Sequence, residues 1–370
     1  MDIFSEKLTG LDPTPLFDLF RGNYGTELLV SAIHPFKIFE HLNYCPMTFS
    51  QLCAKTDLAE RPMNVLLTAL LAMKTIQYDS QNRYELTPLA KQYLVTENPL
   101  QVTNYFGLAA KSPGVLGMIE RLKTNRPWNS APVDTPKQVS SEGVELKSTG
   151  SRGAAFIFRE GIDSAMETSD SARELTLALA GRAKNVAPVL AQKIDLSQAK
   201  VLVDVGGGTG IYSIAMLKIN PHLKAIIWDR PEVLKLAKEF ASEYDVTSRL
   251  ELIAGDMFVD PVPEGDHFLL SNILHDWDVP ECKTLLRRIA EKILGAGRLL
   301  IHDVFLNDRL DGPLPMAFYS ASLFTLTEGR LYSAREYKTW LEELGLVCPE
   351  NPVPTHIHCG VLVASRRGNP

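Results

Sequence analysis

The stretch Val201–Ile211, VLVDVGGGTGI, decides the fold. Apolar residues lead through Asp204 into Gly206, Gly208 and Gly210, and a helical pattern begins directly behind them, which predicts a buried strand, a tight turn and a helix N-terminus. Bare glycines let main-chain N–H groups and the positive end of the helix approach a small polar ligand. The spacing excludes a dinucleotide fingerprint, because G-x-G-x-x-G needs glycine where Ile211 or Ser213 stands. The pattern that remains is D-x-G-x-G-x-G.

Beyond this stretch the chain alternates. Strands are expected at Val201–Val205, Ala225–Asp229, Leu250–Ala254, Phe268–Ser271 and Arg298–Val304, with helices to about Ile219, over Glu232–Glu243 and over Glu281–Leu294. Such alternation means an α/β fold with a doubly wound, Rossmann-like parallel sheet that binds ligands beyond its carboxyl edge. After a helix at about Ala334–Leu344, the strands Thr355–His358 and Gly360–Ala364 are too closely spaced for a crossover helix, so the last strand is expected to run antiparallel.

On the other side of the glycines, helical spacing runs from Thr26 to Leu42, and Thr48 with Gln51 makes a capping-box start. A third helix is expected over Arg61–Met73, then a hairpin of Ile76–Tyr78, DSQN and Tyr84–Leu86, then a helix opened by Thr87 and Pro88. Three helices and a hairpin make an all-α winged helix with a small wing. Its would-be recognition helix carries only Arg61 and Lys74 as basic residues and is mostly apolar, which suits a packing surface for oligomerisation better than DNA. The expected domains are 1–122, a loop or linker 123–152 rich in Pro, Ser, Asn and Gly, and 153–370.

Composition narrows the partners. The 370 residues are 45% hydrophobic and 22% charged, with a formal net charge of -6, which gives no footprint for nucleic acid or an anionic membrane. Five cysteines without a C-x-x-C pair suggest neither a disulfide framework nor a metal site. No apolar segment reaches transmembrane length and no signal-like leader opens the chain, so a cytoplasmic setting is expected.

Three further places bear on chemistry. Asp229 ends the second strand, where a carboxylate can accept both hydroxyls of a ribose or cap the helix behind it. Asp256 and Met257 follow the third strand, placed for a purine or for a simple turn. In SNILHDWDVPEC, Asp278 and Glu281 read as a helix start, which leaves His275, Asp276 and Trp277 in the loop at the end of the fourth strand. Imidazole titrates near neutral pH, so His275 suits proton removal there.

D-x-G-x-G-x-G over Asp204–Gly210 resembles motif I of class I S-adenosylmethionine-dependent methyltransferases. With Asp229, Asp256-Met257, His275-Asp276-Trp277 and EGRLYSAREYKTWLEELGL, nearly the whole chain resembles the small-molecule O-methyltransferases of the caffeic acid, acetylserotonin and bacterial polyketide type. The resemblance implies S-adenosylmethionine as cofactor, held by Asp204, Gly206, Gly208, Gly210, Asp229, Asp256, Met257, Ser271 and Trp277. It implies an intertwined homodimer built by the winged helix, His275 as general base, and Asp303 as the carboxylate that orients it. Leu331 stands where plant members carry a second acidic residue. Phe156, Met166, Met316 and Phe324 are the candidate acceptor-pocket residues. The expected activity is methyl transfer to a phenolic hydroxyl of a small aromatic or polyketide-like acceptor. A methyltransferase-fold enzyme of pericyclic or hydroxylation chemistry, and a winged-helix ligand sensor, stay open as alternatives.

Overall fold

The computed structural model describes residues 12–21, 24–126, 169–348 and 351–366. In chain order the elements are α1 (Thr14–Arg21), α2 (Gly25–Ile33), α3 (Ile38–Tyr44), α4 (Phe49–Thr56), α5 (Glu60–Ala72), β1 (Ile76–Tyr78), β2 (Tyr84–Leu86), α6 (Pro88–Tyr93), α7 (Thr103–Phe106), α8 (Pro113–Thr124) and α9 (Ser169–Lys193). There follow β3 (Val201–Val205), α10 (Ile211–Ile219), β4 (Lys224–Asp229), α11 (Pro231–Glu243), β5 (Leu250–Ala254), β6 (His267–Ser271), α12 (Val279–Ala290), β7 (Arg298–Leu306), α13 (Leu314–Leu326), β8 (Tyr332–Ser333), α14 (Ala334–Glu343), β9 (Leu346–Val347), β10 (Val353–Pro354) and β11 (Cys359–Arg366).

Two compact units result. One holds α9 to β7 and β8 to β11; the other holds α2 to α8 and, with them, Arg309–Leu331. The expected uninterrupted domain 153–370 is corrected here. The cause is α13, which is apolar nearly all round and places Phe318, Ala321 and Phe324 in the core formed by α2 to α6 and α8. In that unit α4 begins with a full capping box of Thr48 and Gln51, and Thr87 caps α6. The expected single helix Thr26–Leu42 is two, α2 and α3, because Pro35 holds the chain extended at His34. Helix α5 buries every residue except Glu60 and Asn64. Arg61 is among the buried ones. Its guanidinium donates to Asn125 Oδ1 and to the carbonyls of Asn125 (both 2.8 Å), Thr327 (3.2 Å) and Gly329 (3.3 Å), so it fastens the ends of α8 and α13 to α5.

In the other unit the sheet order is β10-β11-β7-β6-β3-β4-β5. Strands β5, β4, β3, β6 and β7 are parallel, and β11 pairs antiparallel with β7, Cys359 opposite Val304 and Gly360 opposite Asp303. The reversal brings the start of β11 to the end of the sheet where the parallel strands finish. The expected strand Thr355–His358 is instead a tight turn. Thr355 N–H donates to the Cys359 carbonyl (2.8 Å), and Ile357 and His358 take left-handed φ values of 61° and 57°.

Candidate active site

The glycine loop is shaped by what surrounds it. Gly206, Gly208 and Gly210 all have positive φ. A methyl group at Gly210 would lie 2.1 Å from Ile227 Cδ1 and one at Gly206 2.6 Å from Ile273 Cδ1, whereas one at Gly208 meets no atom of the described residues within 4 Å. Two glycines therefore let strand and helix close on the core, and the third opens its backbone to a ligand. We expect Gly210→Ala to lower stability by about 2–6 kcal/mol, left-handed strain and overpacking combined. Gly208→Ala should cost only the left-handed strain, about 1–3 kcal/mol, and weaken cofactor binding. Thermal melts with and without S-adenosylhomocysteine check both; a Gly210→Ala protein that melts like the parent contradicts this reading of the loop.

Asp204 lies beneath the loop, 1% exposed, with Oδ2 accepting from Ser213 Oγ (2.7 Å) and Oδ1 buried with no hydrogen-bond partner among the described residues. Burial pushes its pKa up to about 7, the Ser213 bond pulls the other way and the nearby Asp229 charge adds to the rise. Asp229 ends β4 with Oδ2 accepting from Gly208 N–H (2.8 Å) and Oδ1 from Arg230 N–H (2.7 Å). It ties the loop down, and the N-cap of α11 is Arg230 rather than Asp229. Burial raises its pKa against those two hydrogen bonds. An acidic pair under open glycines, one buried oxygen lacking a donor, fits a ligand that brings an ammonium and hydroxyls.

Asp256 closes a turn, its Oδ1 accepting from Phe258 N–H (2.8 Å) while its own N–H donates to Asp260 Oδ2 (2.8 Å). Met257 is partly buried against the core, and its carbonyl accepts from Arg288 Nε (3.0 Å). Trp277 is buried with its ring edge-on to Phe258, centroids 4.5 Å apart. Ser271 Oγ sits 2.8 Å from His302 Nδ1 and accepts from Asn272 Nδ2 (3.1 Å).

His275 lies in a single helical turn, Leu274–Asp276, between β6 and α12, which Asp278 caps. Its Nδ1 is 2.5 Å from Asp303 Oδ1, and both groups are buried. Nδ1–H donates to the carboxylate, which leaves the lone pair on Nε2. Burial opposes the charged imidazole, but Asp303, and after it Asp276, outweigh burial and the Arg182 charge, so the pKa of His275 is raised. The neighbouring His302 goes the other way. It is pushed down to about 3 by burial and Arg182, and its Nε2 lies 3.1 Å from Thr355 Oγ1.

Sequence reasoning missed several members of this cluster. Arg182 of α9 donates through Nη2 to Asn272 Oδ1 (2.9 Å) and Cys359 Sγ (3.2 Å), and Tyr337 of α14 donates to Asp303 Oδ2 (3.3 Å). Asn272, at φ 58°, stands in the quoted SNILHDW stretch and could have been singled out. Met316 and Phe324 are buried in the other unit, Met316 Sδ 3.9 Å from Arg21 Nη1 and the Phe324 ring 4.8 Å under Arg61. Leu331 is buried and apolar. Phe156 and Met166 lie outside the described residues. No disulfide joins the five cysteines, and among the described residues no His, Cys, Asp and Glu cluster could hold a metal and no helix is long and apolar enough to cross a membrane.

The chain is similar to known proteins over most of its length. Residues 154–347 match the O-methyltransferase domain family. The chain is 31% identical over 336 residues to 3-hydroxy-5-methyl-1-naphthoate 3-O-methyltransferase of Streptomyces sahachiroi, covering 90% of this chain and 89% of that one. It is 41% identical to an O-methyltransferase family 2 protein of Planctomyces limnophilus solved with apigenin, with a TM-score of 0.83 over 99% of both chains. Human N-acetylserotonin methyltransferase, solved with its cofactor, shares the fold at 21% identity and a TM-score of 0.56, over 98% of this chain and 99% of that one. The chain belongs to the O-methyltransferase family and is an S-adenosylmethionine-dependent O-methyltransferase.

Proposed function

We propose that the enzyme methylates a phenolic hydroxyl of a small aromatic or polyketide-like acceptor, with His275 as general base. The observation that carries this is the His275–Asp303 pair at the carboxyl end of the sheet, next to the glycine loop. A phenol placed at Nε2 gives up its proton, and Asp303 stabilises the imidazolium that results. The cofactor supplies an electrophilic methyl group when bound. Asp204, Asp229 and the loop amides would hold its amino acid and ribose parts, Arg182 its carboxylate, and Asp256, Met257 and Trp277 would face the adenine. Fixing the acceptor in line removes entropy worth about 7–11 kcal/mol. The related naphthoate enzyme and the tetracenomycin polyketide 8-O-methyltransferase of Streptomyces glaucescens support an aromatic acceptor. Incubation with the cofactor and a panel of phenols and aliphatic alcohols tests it: phenols should gain one methyl group and alcohols none.

The N-terminal helices with the hairpin β1–β2 are read as a winged-helix module that joins two copies of the chain. Tyr105 and Leu108, 72% and 79% exposed, offer apolar surface for it. Sedimentation should give twice the chain mass of 41.1 kDa.

Asp204 makes cofactor binding pH-dependent. Its folded pKa is raised, so its contribution to apo stability is present below the ordinary Asp range and is lost as pH rises through about 7. A ligand ammonium favours the ionised form. Binding of S-adenosylhomocysteine should therefore release a proton at pH 6 and almost none at pH 8, with affinity rising over that window. Calorimetry in buffers of different ionisation enthalpy reads the release directly; equal proton release at both pH values removes Asp204 from the ligand.

A further inference from the structure

Asp303 is held on both oxygens. Oδ1 accepts from His275 Nδ1 (2.5 Å) and Val304 N–H (2.7 Å), and Oδ2 accepts from the hydroxyl of Tyr337 (3.3 Å). Tyr337 comes from α14, whose start is fixed by a full capping box of Ser333 and Glu336. Its ring is fully buried and meets three aromatic rings edge-on: Phe305 at 5.8 Å, Tyr332 at 5.6 Å and Trp340 at 5.4 Å between centroids. Tyr332 in turn donates its hydroxyl to the carbonyl of Trp277 (2.6 Å), two residues beyond the base. One aromatic bracket thus grips the carboxylate and also the turn that carries the imidazole.

We propose that Tyr337 is a positioning residue for the base: its hydroxyl sets the angle of the Asp303 carboxylate so that Oδ1 faces His275, and takes up part of the carboxylate's charge. This rests on the reading of His275 as the base. A buried ring in three edge contacts cannot swing away, so the hydroxyl acts as a fixed donor. The phenol keeps its proton there, because burial and the charge of Asp303 both oppose ionisation. The titratable groups acting on this centre are His275 and Asp276 from the loop, Glu336 and Tyr337 from α14, Cys282 from α12, Tyr332 from β8 and Arg182 from α9.

The sign follows from charge. With the hydroxyl gone, Asp303 keeps more of its negative charge unshared and holds the imidazolium more strongly, so His275 retains its proton to higher pH. Full-length Tyr337→Phe should bind S-adenosylhomocysteine and acceptor within about threefold of the parent. Its kcat at neutral pH should fall roughly tenfold, and the acid limb of the kcat–pH profile should move up by about one unit. 3-Fluorotyrosine placed at position 337 keeps the ring's shape and is a stronger donor, so it should move the limb down; it also serves if Tyr337→Phe does not fold. A limb that stays in place in either variant, whatever happens to kcat, overturns the proposal and leaves Tyr337 a packing residue. If His275→Ala proves inactive while these limbs do not move, the base reading stands and only the role of Tyr337 fails.

Discussion

Replacing His275 by alanine is expected to lower turnover at neutral pH by about 10²–10⁴-fold and to leave S-adenosylhomocysteine affinity nearly unchanged. Proton removal counts in the transition state, and the imidazole, hydrogen-bonded to Asp303 at 2.5 Å, is already committed to the carboxylate on its other side. As the proposed base, His275 must be neutral to act, and Asp303 raises its pKa, so in the parent enzyme kcat should fall as pH drops below a value above the ordinary histidine range. The defect of His275→Ala should shrink as pH approaches the phenol pKa of about 10, since solvent then ionises the acceptor. An aliphatic hydroxyl would gain nothing. Full activity of His275→Ala at neutral pH would return the histidine to a structural role.

The second large effect is expected at Asp229. Its carboxylate holds the Gly208 N–H at 2.8 Å, so Asp229→Ala releases the loop and, on the proposed cofactor site, removes the ribose acceptor with it. Hydrogen bonds to a charged group contribute about 1.5–3 kcal/mol each, so affinity for S-adenosylhomocysteine should fall at least about 100-fold. Asp229→Asn keeps one oxygen for Gly208 and should lose less. Titration calorimetry distinguishes the two, and equal affinity in parent, alanine and asparagine proteins would move the nucleotide site elsewhere.

How far the sequence could be read depended on the range of the interactions. Strand Val201–Val205, the hairpin of Ile76–Tyr78 and Tyr84–Leu86, and the Thr48 capping box rest on neighbours a few residues away, and each lies where the pattern put it. His275 could be placed from the pattern because the Asp278 helix start leaves it in the turn just after β6, whereas Asp303, inside β7, was named only through the family resemblance. The grouping of Arg309–Leu331 with the N-terminal helices was not legible, since an evenly apolar helix announces burial without saying against what. Nor was the turn at Ile357 and His358, where two left-handed residues replace the usual glycine or asparagine. Arg61 read as one of two cations on a recognition helix, and only tertiary packing shows it spent on four backbone and side-chain oxygens. Asp256 carried two readings, and the turn hydrogen bonds supply the local one. Tyr337 and Arg182 reach the site from distant helices, beyond any local pattern.

Methyl transfer to a phenolic oxygen is tested most directly by mass spectrometry of a phenol panel incubated with the purified enzyme and cofactor carrying a trideuterated methyl group. The acceptor should gain one trideuteromethyl group on oxygen, with an equal amount of S-adenosylhomocysteine formed. A cofactor recovered intact while the acceptor is rearranged or hydroxylated, or label found on nitrogen or carbon, would contradict it.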